Sequence, residues 1–336
     1  MAALWLFPVL AVVAISGLST QDVTARGWWR IGQHVDMVRP LYFEAGQRVL
    51  RAPVQGALIG VAGSVSTAPM LGRIGSDGAH IRIWQEAQGI VVERENSKSP
   101  RRVLLHERRR VGWSFDNFRK ILINPEFISA VKVSGFIAVP AALLTVLIGF
   151  MGALSLTKNT WGRSMIDALP IFMALPIQIA FVPVLALYVQ LGLARSFVGV
   201  WAIHVGLGLP FVMFVLAKAM RAVPPELGEI ARLEGASGRA YILHVLWPSL
   251  RIWVLALAGL QFMWVWNDLL ITMVFFGQEE HRVALPLYLR ALNGTMGGQW
   301  GPVAAALLVQ MCVPVLVLLG LGWRLRREIR PHFVGL

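Results

Sequence analysis

Five strongly apolar stretches of this chain run without a single Asp, Glu, Lys or Arg: residues 1–21, 133–157, 168–194, 196–217 and 291–323. A sixth, 252–278, is interrupted only by Asp268. A helix that crosses a bilayer needs about 20 apolar residues, because a rise of about 1.5 Å per residue must cover a hydrocarbon core about 30 Å thick. The expected fold is therefore an all-α integral membrane protein with six transmembrane helices. Of the 336 residues, 56% are hydrophobic and 15% charged, whereas a soluble domain carries about 25% charged residues. A soluble fold of this size has too few charges to cover that much apolar surface, which excludes a disordered chain and disfavours an ordinary cytosolic enzyme. The net charge of +13 reads as loop charge of a membrane protein, so no nucleic-acid partner is expected.

Positive charges orient the spans, since Lys and Arg concentrate in cytoplasmic loops. With the C-terminus inside, the cytoplasmic segments hold eleven: Lys158, Arg163, Lys218, Arg221, Arg232, Arg239, Arg251, Arg324, Arg326, Arg327 and Arg330. The short external loops hold three: Arg195, Arg282 and Arg290. An even number of spans puts both termini in the cytoplasm. Residues 1–20 are expected to form the first helix. Its end, Ile15 to Thr20, also has the small-residue composition of a signal-peptide cleavage region, and a retained helix is the preferred reading. Residues 21–112 are expected to form an inserted β-rich extracytoplasmic domain between helices 1 and 2. Strand-like runs lie at 57–61, 80–84, 89–93 and 102–106, with Gly75, Asp77 and Gly78 as turn residues. Residues 117–127 read as a short amphipathic approach to the second span. Residues 113–336 carry the remaining helices.

The motifs of soluble catalysis are absent. No G-x-x-x-x-G-K-[ST] loop and no H-E-x-x-H pair occurs. The histidines, at 34, 80, 106, 204, 244, 281 and 332, have no ligand spacing, and the one cysteine, Cys312, cannot build a disulfide framework or a cysteine-held metal site. No metal or cofactor is expected, and His204, within the fourth span, is expected to be a packed or hydrogen-bonded helix residue. The chain is not expected to be an enzyme.

The informative segment lies within 221–250. Pro224 and Pro225 suit a helix start, where a missing N–H costs nothing. Glu226 and Glu229 follow in the first turns, favoured by the helix dipole. Gly235 ends that helix, since a tight reversal requires positive φ. Ser237 caps the next. The segment also has a spacing: Glu229-Ile230-Ala231, then Gly235, then Val245-Leu246-Trp247-Pro248.

That spacing resembles the coupling loop of ABC-type importer permeases, E-A-A, three residues, G, nine residues, I-x-L-P. Ile230, Val245 and Trp247 depart from it by apolar replacement. Glu234-Gly235-Ala236 looks like the D-G-A of the sugar-importer branch, and Trp264 to Asp268 looks like its W-x-W-N-[DE] stretch. The resemblance covers roughly residues 115–336, including Leu175 to Pro183, Gly206 to Phe211 and the tail from Arg326. It is closest to the alpha-glucoside permeases of the maltose-type second permease. Those also carry an extra segment after the first span and a tryptophan pair like that of Gly27-Trp28-Trp29. The resemblance implies a permease subunit of a binding-protein-dependent importer in a bacterial inner membrane. Such a subunit forms half of the pathway for a sugar, an alpha-glucoside or related oligosaccharide. Its implied partners are a homologous permease in a heterodimer, two ATP-binding cassette ATPase subunits, an extracytoplasmic sugar-binding protein and membrane lipid. The implied coupling residues are Glu229, Ala231, Glu234, Gly235, Ala236 and Pro248. Gln261, Trp264, Asn267 and Asp268 are the candidate pathway residues, since a polar pair within a span is costly if it faces lipid. Trp266 is expected to be an interfacial anchor.

Two rival readings remain at this stage. An ion-driven secondary transporter would have internal repeats and paired midplane ionisable residues, whereas Asp268 is the only clear acid within a span. A membrane-anchored sensor with an external ligand-binding domain would not need so many spans after that domain.

Overall fold

The computed structural model describes residues 2–19, 22–23, 29, 31–43, 49–52, 57–61, 70–74, 79–86, 89–94, 101–174, 176–277, 282–295 and 299–329. Gly27, Trp28, the turn residues Gly75, Asp77 and Gly78, and the tail 330–336 lie outside them. The chain divides into two compact units, Met1–Asn117 and Phe118–Leu336.

The first unit holds α1 (Ala2–Ser16) and seven strands. They are β1 (His34–Phe43), β2 (Val49–Ala52), β3 (Ala57–Val61), β4 (Met70–Ile74), β5 (Ala79–Glu86), β6 (Gly89–Arg94) and β7 (Arg101–Arg110). They pair in two sheets, ordered β1-β7-β3 and β2-β6-β5-β4, all antiparallel. The apolar run that begins at residue 2 stops being helical after Ser16. There the Trp113 indole donates to the Val13 carbonyl, and Asn117 Nδ2 donates to the carbonyls of Ser16 and Leu18. These bonds satisfy carbonyls that a helix end leaves orphaned.

The second unit is helical. It comprises α2 (Asp116–Ile123, its first residues shared with the boundary), α3 (Pro125–Lys158), α4 (Gly162–Ala174), α5 (Phe181–Gln190), α6 (Phe197–Arg221), α7 (Pro225–Leu233), α8 (Gly238–Tyr241), α9 (Trp247–Trp266), α10 (Leu285–Thr295) and α11 (Trp300–Ile329). The starts follow from local chemistry. Asn124 Oδ1 accepts from the N–H groups of Glu126 and Phe127 before α3, and Ser196 Oγ accepts from Gly199 N–H before α6. The packing of α6 on α3 and α9 relies on small residues. A Cβ on Gly149 would stand 2.5 Å from Val212, and one on Gly208 would stand 2.3 Å from Gln261 Nε2. Without side chains at these points the backbones approach closely.

Two prolines inside spans are answered by tryptophans. Pro140 cannot donate to the Phe136 carbonyl four residues earlier, and Trp201 Nε1 from α6 donates there instead, at 3.0 Å. Pro314 likewise leaves the Gln310 carbonyl free, and Trp266 Nε1 from α9 donates to it at 3.1 Å.

The expected plan of six transmembrane helices with a β-rich insert between the first two is corrected by this structure. Among the described residues four helices are long and apolar enough to cross a membrane: Pro125–Lys158, Phe197–Arg221, Gly238–Trp266 and Trp300–Arg324. A fifth crossing exists if the pair Gly162–Ala174 and Gln178–Gln190, bent by 80°, counts as one span. Helix α1 has 15 residues, about 22 Å of rise against a core of about 30 Å. It belongs to the first compact unit, and it is not among the described helices long enough to span, so an insert between two spanning helices is not supported. An absence of charge overcounted the spans because Gly17 to Ser19 end α1 and prolines 170, 176 and 183 accompany the bend.

Candidate functional site

The segment between α6 and α9 is built as its residues dictate. Pro225 stands at the first position of α7 and Glu226 in its first turn. The helix closes with two bonds, Gly235 N–H to the Arg232 carbonyl at 3.0 Å and Ala236 N–H to the Ala231 carbonyl at 2.9 Å. This is a Schellman closure, and Gly235 adopts the φ of 71° that it requires. Ser237 Oγ then accepts from Ala240 N–H, capping α8. One π turn, Ile242–Leu246, leads into α9, where Pro248 lies near the start. A π turn is one way a helix accommodates a proline whose ring would clash with the carbonyl four residues back.

Of the coupling residues expected from the sequence, Ala231 is buried, and Glu229, Glu234, Gly235, Ala236 and Pro248 are exposed. Leu227, Ile230 and Leu233 are exposed too, Leu233 at 89%. Their spacing of three puts them along one side of α7. Behind α7 a cavity of about 870 Å³ is lined by Lys158, Arg221, Glu229, Arg232 and Tyr241, among others. The turn thus presents an apolar edge and a carboxylate, backed by a recess bearing cations.

The second polar group lies where the apolar run 252–278 breaks. Helix α9 stops at Trp266, Asn267 is its C-cap, and helix resumes at 270–276. Asp268 Oδ2 accepts from the N–H groups of Ile271 and Thr272 at 2.9 and 3.2 Å, capping the second piece. Asp268 Oδ2 also faces His204 Nε2 at 3.6 Å. His204 is fully buried. Its Nδ1 lies 2.8 Å from the Val200 carbonyl; a carbonyl only accepts, so Nδ1 carries the proton. Trp264 stands edge-on to the His204 ring, with centroids 6.0 Å apart. Asn267 is exposed, and its Oδ1 accepts from Gln310 Nε2 at 3.3 Å. Gln261 is only 4% exposed and packs at Gly208 between helices. Trp266 is buried and stacked on Phe262, with its indole committed to Gln310, so it is no interfacial anchor.

The structure brings Trp264 and Asp268 together through His204, not through helical spacing, because the helix breaks between them. Sequence reasoning missed Gln310, although a polar residue four positions before Pro314 was a usable signal.

Residues 145–327 match the family described as "Binding-protein-dependent transport system inner membrane component". The alpha-glucoside transport system permease protein AglG of Rhizobium meliloti (strain 1021) is 25% identical over 346 residues, covering 95% of this chain and 90% of that protein. The osmoprotective compounds uptake permease protein GgtD of Synechocystis sp. (strain ATCC 27184 / PCC 6803 / Kazusa) is 34% identical over 187 residues, 55% of this chain and 63% of that protein. Among solved structures, one chain of a bacterial alginate ABC transporter in complex with alginate pentasaccharide-bound periplasmic protein aligns with a TM-score of 0.53 at 17% identity. That alignment covers 64% of this chain and 83% of that one, a likeness of fold. The family match spans more than half of the chain, which therefore belongs to the inner membrane components of binding-protein-dependent transport systems, the permease subunits of ABC importers.

Proposed function

We propose that the chain forms half of the pathway for a sugar, an alpha-glucoside or related oligosaccharide, and that α7 receives the movement of an ATPase. The observation that carries the coupling role is the Schellman turn at Gly235 with the exposed Leu227, Ile230, Leu233 edge beside Glu229. An exposed apolar edge on a rigid turn suits docking into a groove of a partner. The partners in this reading are a homologous permease, two ATPase subunits and an extracytoplasmic binding protein, with both termini of this chain cytoplasmic. ATP binding closes the ATPase pair, α7 follows, and the spans rock between two arrangements. Glu229, Ala231, Glu234, Gly235, Ala236 and Pro248 shape the docking face. Trp264, Asn267 and Asp268 line the pathway, and Gln261 packs behind them. The sugar class rests on the likeness to AglG, whose name specifies an alpha-glucoside.

The test is ATP hydrolysis by the reconstituted complex with binding protein and sugar. Gly235→Val places a β-branched residue at φ 71°, at a local cost of about 1–3 kcal/mol. Glu229→Lys reverses an exposed charge on the docking face. Both variants should enter the membrane and lose most of the sugar-stimulated hydrolysis. Full stimulation in both would refute the role of this turn.

A further inference from the structure

We propose that Gln310, paired with Asn267, is a contact point for an uncharged, hydroxyl-bearing solute at mid-depth of the pathway, with Trp266 as the residue that positions it. This rests on the reading of the chain as a sugar permease subunit.

Depth is the first argument. Gln310 lies ten residues after Trp300, where α11 begins. At about 1.5 Å per residue it stands about 15 Å along the helix from that end, half of a hydrocarbon core of about 30 Å, and Asn267, hydrogen-bonded to it, shares that depth. Exposure is the second. Asn267 is exposed and Gln310 only partly buried, so the pair sits on the surface of this chain at midplane. Polar groups at that depth face protein or a water-filled cavity, not lipid.

Anchoring is the third argument. Gln310 is gripped at its backbone, since its carbonyl, freed by Pro314, takes the Trp266 indole at 3.1 Å. Its side-chain Nε2 reaches Asn267 Oδ1 at 3.3 Å, while Asn267 Nδ2 donates to the Met263 carbonyl at 2.9 Å. These bonds use one N–H of each amide and one lone pair of the Asn267 oxygen, and an amide offers two donors and two acceptor sites. The remaining capacity is uncharged and two-signed, which matches hydroxyl groups better than ions.

The full complex tests this in two ways. First, Gln310→Cys is made in a Cys312→Ser background, which removes this chain's only native thiol. It is then treated with a sulfonated methanethiosulfonate, which reacts with thiolate in water, and labelling is read on this chain after the subunits are separated. Labelling in the assembled complex, slowed by maltose together with the binding protein, is expected. An unlabelled thiol in an assembled complex would overturn the proposal and make the pair a contact between subunits. Second, Gln310→Leu should lower the maximal rate of radiolabelled maltose uptake about tenfold, the scale of one lost hydrogen bond. Gln310→Asn, which keeps an amide, should restore part of the rate. Wild-type uptake in an assembled Gln310→Leu complex would also overturn it. Labelling in a complex whose unsubstituted form moves neither maltose nor trehalose would instead refute the alpha-glucoside reading and leave the pathway placement standing.

Discussion

Asp268 combines two jobs that a spacing argument treats as one. Its carboxylate caps the helical piece that begins at 270, and the same oxygen faces His204. The two can be separated. Asp268→Asn keeps an oxygen that can accept from Ile271 and Thr272, so the purified complex should melt within a few degrees of wild type. Asp268→Ala removes the cap, which is worth about 0.5–2 kcal/mol, and should lower the unfolding midpoint visibly. If Asn is as damaging as Ala, the negative charge opposite His204 matters more than the cap. The sequence pointed to Asp268 because an acid in an apolar run is conspicuous. It could not show that the helix breaks at Asn267, between Trp264 and Asp268. His204 was legible as a hydrogen-bonded helix residue, and its bond to the Val200 carbonyl agrees with that. Its partner across the bundle was not legible, because long-range contacts leave no trace in local spacing.

At the scale of elements, helices α3 and α11 each contain a proline, and the carbonyl it leaves without a donor is met by an indole from a neighbour. Removing the indole should cost more when the proline is present. Trp266→Phe leaves the part-buried Gln310 carbonyl without its donor, a loss of about 1 kcal/mol. Pro314→Ala returns an N–H to α11 that can reach that carbonyl. The penalty of Trp266→Phe should therefore shrink in the Pro314→Ala background, giving a coupling of about 0.5–3 kcal/mol in a double-mutant cycle followed by denaturation in detergent. Additive effects would mean that the indole acts only through its stacking on Phe262. The same chemistry explains what sequence could read at this scale. The turn at Gly235 was legible because proline, glycine and serine each fix one local feature, and all of them fall where expected. The number of spans was not, because an absence of charge does not say where prolines and glycines end a helix.

For the whole molecule, the family match at 145–327 lies inside the Phe118–Leu336 unit, while AglG aligns with 95% of the chain. An alignment that long must run through most of Met1–Asn117 as well, whereas the alignment with GgtD spans only 55% of the chain. The N-terminal unit is thus separable by its contacts from the part that carries the family match, and it is shared with one relative over nearly its full length. Everything invoked for coupling, from Glu229 to Pro248, and both polar groups at Asp268 and Gln310 lie in the second unit. Residues 118–336 with an added start methionine should therefore insert and copurify with the ATPase subunits, because α7 is intact. Two measurements decide the matter: recovery of the ATPase with the tagged fragment, and uptake relative to the full chain. ATPase recovery with reduced uptake would assign the N-terminal unit to the delivery of solute. Loss of the ATPase would show that the second unit needs the first to fold, despite the division of their internal contacts. Recovery of both activities would make the N-terminal unit dispensable for transport, and its role would then have to be sought among the properties this chain shares with AglG and not with GgtD.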